Sequence, residues 1–450
     1  MTEKHAKPVS IPQTPFARMA GLGGTTTRIV GNLAVNGFAE IAKGNRPEFK
    51  DLLLTPANIS RLTDQLARMR GAAMKLGQLL SMDAGDVLPE ELTEILSRLR
   101  AQADYMPPKQ LKTVLNAAWG DGWLSKFQSF DVKPIAAASI GQVHRAVTKD
   151  GQEVAIKVQY PGVKRSIDSD VVSVGRLVKM SGLLPADLDL GPLLEEAKAQ
   201  LHDEADYLRE AEHLCRYATH LYGDGRFIVP ELIPEFTTET VLAMTYTPGV
   251  PMDHLEHSDY DLRHRVVEAL LELTLKELFS WKHMQTDPNF ANYSFQPDTG
   301  RIVLLDFGAA RAVPDWVSDG YLRLVISGLS NDVDGVSRES RALGFWSEDA
   351  PKSEQDQILS IMQFSFDMLK ARGPFDFADP SPALEMRQRG LDLAQDMTHV
   401  HIPPVETLFV QRKFTGMYLL ARKLRAKIDL NALLVPHVDR VSSSERFFLD

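Results

Sequence analysis

The 450-residue chain contains one cysteine, Cys215, so no internal disulfide can form, and such usage fits a reducing compartment. No stretch approaches the run of about 18 consecutive apolar residues that spans a bilayer as a helix, which predicts a soluble or peripheral protein. Residues 1–20 carry Glu3, Lys4, Lys7, Arg18 and three prolines where a secretory signal would be apolar, so export is not expected. Positive charge is in short supply. Lys and Arg number 50 against 60 Asp and Glu, a formal net charge of -10 with a pI of about 5.7, which argues against a phosphate-backbone footprint and against nucleic acid as a partner. Internal repeats and low-complexity tracts are also lacking.

What is present suits a folded protein of two or three cooperating units. Apolar residues make up 44% and charged residues 24%, enough for a well-filled core. Residues 21–42 are glycine-rich and weakly apolar, as in a close-packing helix or a surface-seeking one. Between Pro56 and Ala103 apolar residues recur at three and four, the helical period (Ile59, Leu62, Leu66, Met69; Leu76, Leu79, Leu80; Leu92, Ile95, Leu96, Leu99). Pro107-Pro108 breaks that pattern, and a helix over 109–118 ends at Trp119-Gly120-Asp121-Gly122. Gln142–Val147 and Glu153–Val158, joined through Lys149-Asp150-Gly151, read as a hairpin. Residues 190–220 read as one long helix, followed by strand candidates at 227–229 and 241–244 and a turn at Thr247-Pro248-Gly249. A strongly helical stretch covers 262–281, a short strand 302–305, and the remainder is mainly helical.

The chemistry is concentrated in two places. Asp287-Pro-Asn-Phe-Ala-Asn292 is followed by Leu304-Leu305-Asp306-Phe307-Gly308, and 19 residues separate the two carboxylates. In kinases an Asp, an Asn five positions later and a strand ending in Asp-Phe-Gly assemble a catalytic carboxylate and two magnesium ligands around one phosphate. Asn292 and Asp306 would supply oxygen to the metal, and Asp287 would act as base or orient water. Lys157 stands in Val154-Ala-Ile-Lys157-Val158, the form of the kinase strand whose lysine contacts nucleotide phosphates, although an alternating strand also places lysines in solvent. Its acidic partner is expected from the 190–220 helix, with Glu204 preferred and Glu196 as rival. Where a glycine-rich phosphate loop would stand, the chain has Ala136-Ala137-Ala138-Ser139-Ile-Gly141. Alanine restricts the backbone that wraps phosphates, so nucleotide would be held differently, Ser139 contributing. Met244 and Tyr246, beside a hinge at 245–250, are further candidates to contact the nucleotide. Upstream, Lys75 and Gln78 share a helical face, and Gly77 between them suggests close packing.

This order predicts an α+β, protein-kinase-like bilobal fold. A helical extension would cover 1–125, a small lobe 126–244, a hinge 245–250 and a helical lobe 251–450, with Mg2+ and ATP bound between the lobes.

Together, Lys75-x-Gly77-Gln78, the Ala136–Ser139 loop, Val154–Gly162, Glu204-x-Asp206-Tyr207 and Met284–Asn292 resemble the UbiB-like, aarF-domain atypical kinases, which include the mitochondrial kinases of ubiquinone biosynthesis. The likeness runs from about Arg68 through Arg311 and more loosely beyond. It implies that the helix of Lys75 and Gln78 folds over the cleft where a peptide would lie. It also brings Lys75 toward Glu204 or Asp206, and gives Lys75, Gln78 and Asp206 a regulatory role. It further implies ATP hydrolysis or small-molecule phosphorylation in support of ubiquinone synthesis, with a lipid or quinone precursor, a membrane surface and an enzyme complex as partners. The location implied is cytoplasmic or peripheral on an inner membrane face, in a bacterium or the equivalent mitochondrial matrix. A nucleotide-gated lipid-binding module without phosphotransfer is the alternative. Many bacterial relatives have His-x-Asp-Pro-His-Pro-Gly-Asn in the catalytic loop. Here Gln285, Asn289, Phe290 and Ala291 depart from it, as in the mitochondrial branch. No Ala-Pro-Glu follows Asp306, which argues against a conventional protein kinase.

Overall fold

The structure, a computed structural model, describes residues 105–180, 190–371, 373–396, 401 and 403–446, and upstream of them residues 70–83 with Thr63, Leu66, Met69 and Ile95. The glycine-rich stretch at 21–42 and most of the helical pattern between 56 and 103 lie outside these residues. The chain divides into two compact units. One runs to Cys215 and takes in Glu231–Thr247; the other comprises Arg216–Pro230 and the chain from Pro248 onward.

The first unit is built on an antiparallel sheet of five strands. Strands β1 (Phe127–Phe130), β3 (Gly141–Thr148), β4 (Glu153–Gln159) and β6 (Val241–Thr245) lie in that order, with β2 (Ala136–Ala137) added to β3. The expected hairpin is β3 and β4. Strand β4 is central, with Val154, Ile156 and Val158 fully buried on one face, and Lys157, on the other face, is itself only 8% exposed. Around the sheet stand α1 (Arg70–Asp83), α2 (Pro108–Trp119), α3 (Val163–Met180), α4 (Gly191–Glu204) and α5 (Tyr207–His220). Helix α2 has its proline at the first turn, where the missing N–H has no helical partner to lose, and closes on Gly120 at φ +81°.

Two expectations are corrected. Residues 190–220 form two helices rather than one: the chain breaks at Ala205-Asp206, and Oδ1 of Asp206 accepts a 3.0 Å hydrogen bond from the Arg209 amide, capping α5. The 227–229 segment does not join the small strand-rich unit. It forms β5 (Phe227–Ile228), which pairs in parallel with a strand of the second unit.

That strand is β10 (Arg301–Leu304), in a four-stranded sheet ordered β5, β10, β9 (Tyr293–Gln296) and β7 (Val250–Pro251). Helix α6 (Tyr260–Phe279) begins where Asp259 Oδ1 accepts from the Leu262 amide at 2.8 Å. It leads into β8 (His283–Gln285), paired with β11 (Ala310–Ala312). The remainder is mainly helical: α7 (Asp315–Leu329), α8 (Val333–Ala342), α9 (Lys352–Lys370), α10 (Ser381–Asp396), α11 (Val405–Lys423) and α12 (Leu430–Arg446), with the short pair β12 (Phe375–Asp376) and β13 (Lys427–Ile428). Leu278, Met284, Val313, Val317 and Val410 form one apolar cluster that joins α6, β8, α7 and α11.

A charged group lies within this unit. Lys413, 1% exposed, is 3.2 Å from a Glu277 carboxylate oxygen and donates to the Tyr293 hydroxyl at 2.9 Å, while Tyr217 donates to Glu277. Burial disfavours the ammonium, but Glu277 and Tyr293 outweigh it and hold the Lys413 pKa above its usual value. Burial, reinforced by the Glu277 carboxylate, pushes the Tyr217 phenol far up, so it remains a donor.

In the first unit His144 is fully buried, with Nδ1 2.7 Å from the Asp131 carbonyl and Nε2 2.8 Å from the Gln142 amide nitrogen. The neutral ring satisfies both, donating from Nδ1 and accepting at Nε2, and burial lowers its pKa to about 4. The folded pKa lies below the unfolded one, so the unfolded chain binds a proton first as pH falls. Between about pH 6.5 and 4 this single group should remove about 3 kcal/mol of stability. His144→Gln should flatten that part of the curve, visible in urea unfolding as a wild-type minus variant difference that shrinks from pH 7.5 to pH 4.5.

Candidate active site

In the second unit the β9–β10 hairpin brings the two proposed metal ligands together. Tyr293 pairs with Leu304, and the Leu305 amide donates to the Asn292 carbonyl at 2.9 Å, so Asp306 follows the residue bonded to Asn292 at one end of the ladder. Asn292 donates from Nδ2 to the Asp287 carbonyl at 3.2 Å and to Asp287 Oδ2 at 3.1 Å. With its nitrogen so engaged, the amide presents its oxygen, the atom a hard cation takes, to other partners. Asp306 Oδ1 accepts from the Gly308 amide at 2.9 Å, which fixes the side chain against its own turn.

Gln285 joins these pieces. Its Oε1 accepts from the Asp287 amide at 3.0 Å, and its Nε2 donates to the Asp306 carbonyl at 2.7 Å. It is buried at the end of β8, opposite Ala310 of β11, and Thr286 next to it is bonded to the Ala309 carbonyl. One neutral side chain thus spans the catalytic loop and the Asp-Phe-Gly turn. Phe307 packs its ring 5.1 Å from Tyr217, deep in the unit.

In the first unit Lys157 donates to both carboxylate oxygens of Glu210, at 2.8 and 2.9 Å, and its Nζ lies 5.2 Å from the centre of the Tyr207 ring. The partner expected was Glu204 or Glu196, and the structure corrects it. A continuous helix would set residues 204 and 210 about 240° apart. The break at 205–206 starts α5 afresh and presents Glu210, in its first turn, to Lys157, while Glu204 at the end of α4 pairs with Lys75. Glu196 is engaged by Gln200 at 2.6 Å.

Glu204 has a second partner, because Ser139 Oγ donates to its Oε2 at 2.6 Å. The alanine-rich loop is therefore committed to the protein: Ala136 and Ala137 pair with β3, and the Ala138 amide bonds the Gly141 carbonyl at 2.9 Å. Gly141 is required by packing, since a Cβ there would strike the Val158 carbonyl and the Tyr207 hydroxyl. At Gly71 a Cβ would lie 3.1 Å from the Ser139 carbonyl, so α1 lies close against this loop. Gly77 is buried. Asp206 serves as a cap in this structure, and the Gln78 side chain lies outside the described residues. Met244 is buried opposite Ala155, and Tyr246 is bonded through its amide to the Glu153 carbonyl, with the Arg145 guanidinium 4.7 Å from its ring centre.

Three participants were not foreseen. Glu210 was legible only to a reader who took Asp206 for a cap. Gln285 was noted as a departure from other sequences, not as a link. Arg412, which reaches Asp287 from 125 residues away, left no local signal.

The Lys157–Glu210 pair has both members buried, so removal of one leaves an uncompensated charge. Glu210→Gln should cost about 3–5 kcal/mol, and Lys157→Met combined with Glu210→Gln should recover part of it. Chemical denaturation of the two variants against wild type measures this. Glu204→Gln, whose carboxylate is more exposed, should cost less.

Comparison with known proteins places the chain in a family. Residues 98–340 match the ABC1 atypical kinase-like domain. The mitochondrial atypical kinase COQ8 of Saccharomyces cerevisiae is 38% identical over 94% of this chain and 84% of its own. The mitochondrial atypical kinase COQ8B of Danio rerio is 36% identical over 95% of this chain and 69% of its own. Among solved structures, Rv3197 of Mycobacterium tuberculosis, in complex with erythromycin, superposes with a TM-score of 0.58 at 25% identity, covering 83% of this chain and 94% of that one. The fold is α+β and kinase-like, the enzyme class is that of a non-conventional phosphotransferase or ATPase, and the chain belongs to the ABC1 family of atypical kinases, the COQ8 and UbiB type.

Proposed function

We propose that the protein binds Mg2+ and ATP and uses them for hydrolysis or for phosphorylation of a small molecule, in support of ubiquinone or another prenylquinone's synthesis. The observation that carries this reading is the Gln285 bridge, which holds Asp287 and Asp306 in one rigid piece beside Asn292. The donor set fits magnesium. Asp306 offers carboxylate oxygen and Asn292, whose nitrogen is engaged with Asp287, offers its amide oxygen. Magnesium keeps several waters and takes phosphate oxygens in such sites, so two protein ligands suffice.

Bound there, magnesium would neutralise charge that develops on the transferred phosphate. The chain's own groups do the rest. Asp287 accepts the proton of the attacking hydroxyl or orients water, Lys157 holds the phosphates, and Glu210 orients Lys157. Met244 and Tyr246, the latter fixed by Glu153 and Arg145, are candidates to meet the base. The Ala136–Ser139 loop has less free backbone for phosphate than a glycine loop, because Ala138 is engaged in its own turn. The extension over 1–125 and the hinge over 245–250 belong to the same proposal, with Arg216–Pro230 taken out of the small lobe and given to the second unit.

A second reading, a nucleotide-gated module that binds lipid or a quinone precursor without transferring phosphate, draws on one observation. Glu204 links Lys75 of α1 to Ser139 of the alanine-rich loop, so a change in that loop is felt by the helix. In either case the partners proposed are a lipid or quinone precursor, an enzyme complex and a membrane surface met peripherally from the matrix or cytoplasmic side. No helix among the described residues is long and apolar enough to cross a membrane.

Purified protein with magnesium and ATP should release phosphate, more so with vesicles or a phenolic quinone precursor present, and Asp306→Asn should abolish the release. Silence under all these conditions defeats the phosphotransfer reading. Nucleotide-dependent vesicle or precursor binding that survives Asp287→Asn would then favour the second. Deletion of the gene should lower cellular quinone, with wild type but not Asp306→Asn restoring it; unchanged quinone removes the pathway assignment.

A further inference from the structure

Helix α11 presents one face to the catalytic loop. Phe409, Arg412, Lys413 and Gly416 recur at three and four and so share a helical stripe. The Arg311 guanidinium, just past Asp-Phe-Gly, lies 3.8 Å from the Phe409 ring centre. Lys413 donates to Tyr293, the residue after Asn292. Gly416 packs against Pro288, the residue after Asp287, so closely that a Cβ would collide with the proline ring. Arg412, 5% exposed, places Nη2 3.4 Å from Asp287 Oδ1. Residues 287–292 contain no cation of their own, so this positive charge reaches the loop from 125 residues away.

We propose that Arg412 is a positioning residue for the phosphoryl-transfer step. The Asp287 carboxylate is held on both oxygens, Oδ1 by Arg412 and Oδ2 by Asn292. Two anchors on two oxygens fix the plane of the carboxylate as well as its place, so the oxygen that meets the attacking water or hydroxyl keeps one direction. The close fit of Gly416 on Pro288 keeps Arg412 at that range, because the helix cannot rotate or retreat without losing the contact. The 3.4 Å separation is loose for a charge-assisted bond and leaves room to tighten when substrate is bound.

The proposal rests on the reading of Asp287 as the group that handles the nucleophile, and the two can fail separately. Steady-state phosphate release from Mg-ATP is measured for wild type, Arg412→Ala, Arg412→Lys and Asp287→Asn, with ATP affinity and thermal unfolding recorded for each. Arg412→Ala should lower kcat about 100-fold while KM for ATP stays nearly constant. Added guanidinium ion should restore part of that kcat, and should not help Asp287→Asn. Lysine lacks the planar fork, so Arg412→Lys should fold and still lose about tenfold in kcat. If Arg412→Ala does not fold, the lysine variant decides. A folded Arg412 variant with wild-type kcat overturns the proposal, as does a loss of kcat that guanidinium leaves unchanged. If Asp287→Asn keeps full activity, it is the reading of Asp287 that fails.

Discussion

Burial of lysine charge is the constraint on which much of this structure depends. Lys75, Lys157 and Lys413 are each below a tenth exposed, and each is matched by a glutamate: Glu204, Glu210 and Glu277 respectively. An ammonium withdrawn from water costs several kcal/mol, which a single well-placed carboxylate offsets only when geometry is good and the remaining donors are used. Such pairs add little net stability over apolar residues of the same volume. They penalise misplacement heavily. Each pair also lies at a piece of the proposed machinery: Lys75 at the helix against the alanine-rich loop, Lys157 on the central strand, and Lys413 beside the Asn292 strand. The same electrostatic penalty that makes them expensive fixes where those pieces go.

Much of this was legible in the sequence because it rests on short-range pattern. The Gln142–Val147 and Glu153–Val158 runs read as a hairpin, and β3 and β4 form it. The Asp287, Asn292 and Asp306 spacings call for a strand that ends at Asp-Phe-Gly, and β10, paired with β9, supplies it. Helical periods marked α6 within about two residues at either end. The misses share a cause. Glu204 and Glu210 stand on similar acid-rich sequence, and the break at Ala205-Asp206, where the Asp206 carboxylate caps the next helix, puts them on two helices rather than one. Strand β5 looks like any short apolar segment, and its partner β10 lies more than 70 residues on, where no local signal reaches. Arg412 on a helix is an ordinary solvated residue by pattern; only tertiary packing through Gly416 and Pro288 makes it a neighbour of Asp287.

The alanine-rich loop shows how the same composition can serve different physics. A glycine-rich loop leaves its amides free to turn toward phosphate. Here Ala136 and Ala137 lie in the ladder with β3, the Ala138 amide is bonded to the Gly141 carbonyl, and the Ser139 hydroxyl donates to Glu204. The surviving glycine is required by close packing against Val158 and Tyr207. Glu204 then carries two loads, with Lys75 on Oε1 and Ser139 on Oε2, so neither contact can change without altering the field felt by the other. A ligand that drew the Ser139 hydroxyl away would leave Lys75 with a carboxylate whose second oxygen has lost its donor, and that carboxylate would bind the ammonium more strongly.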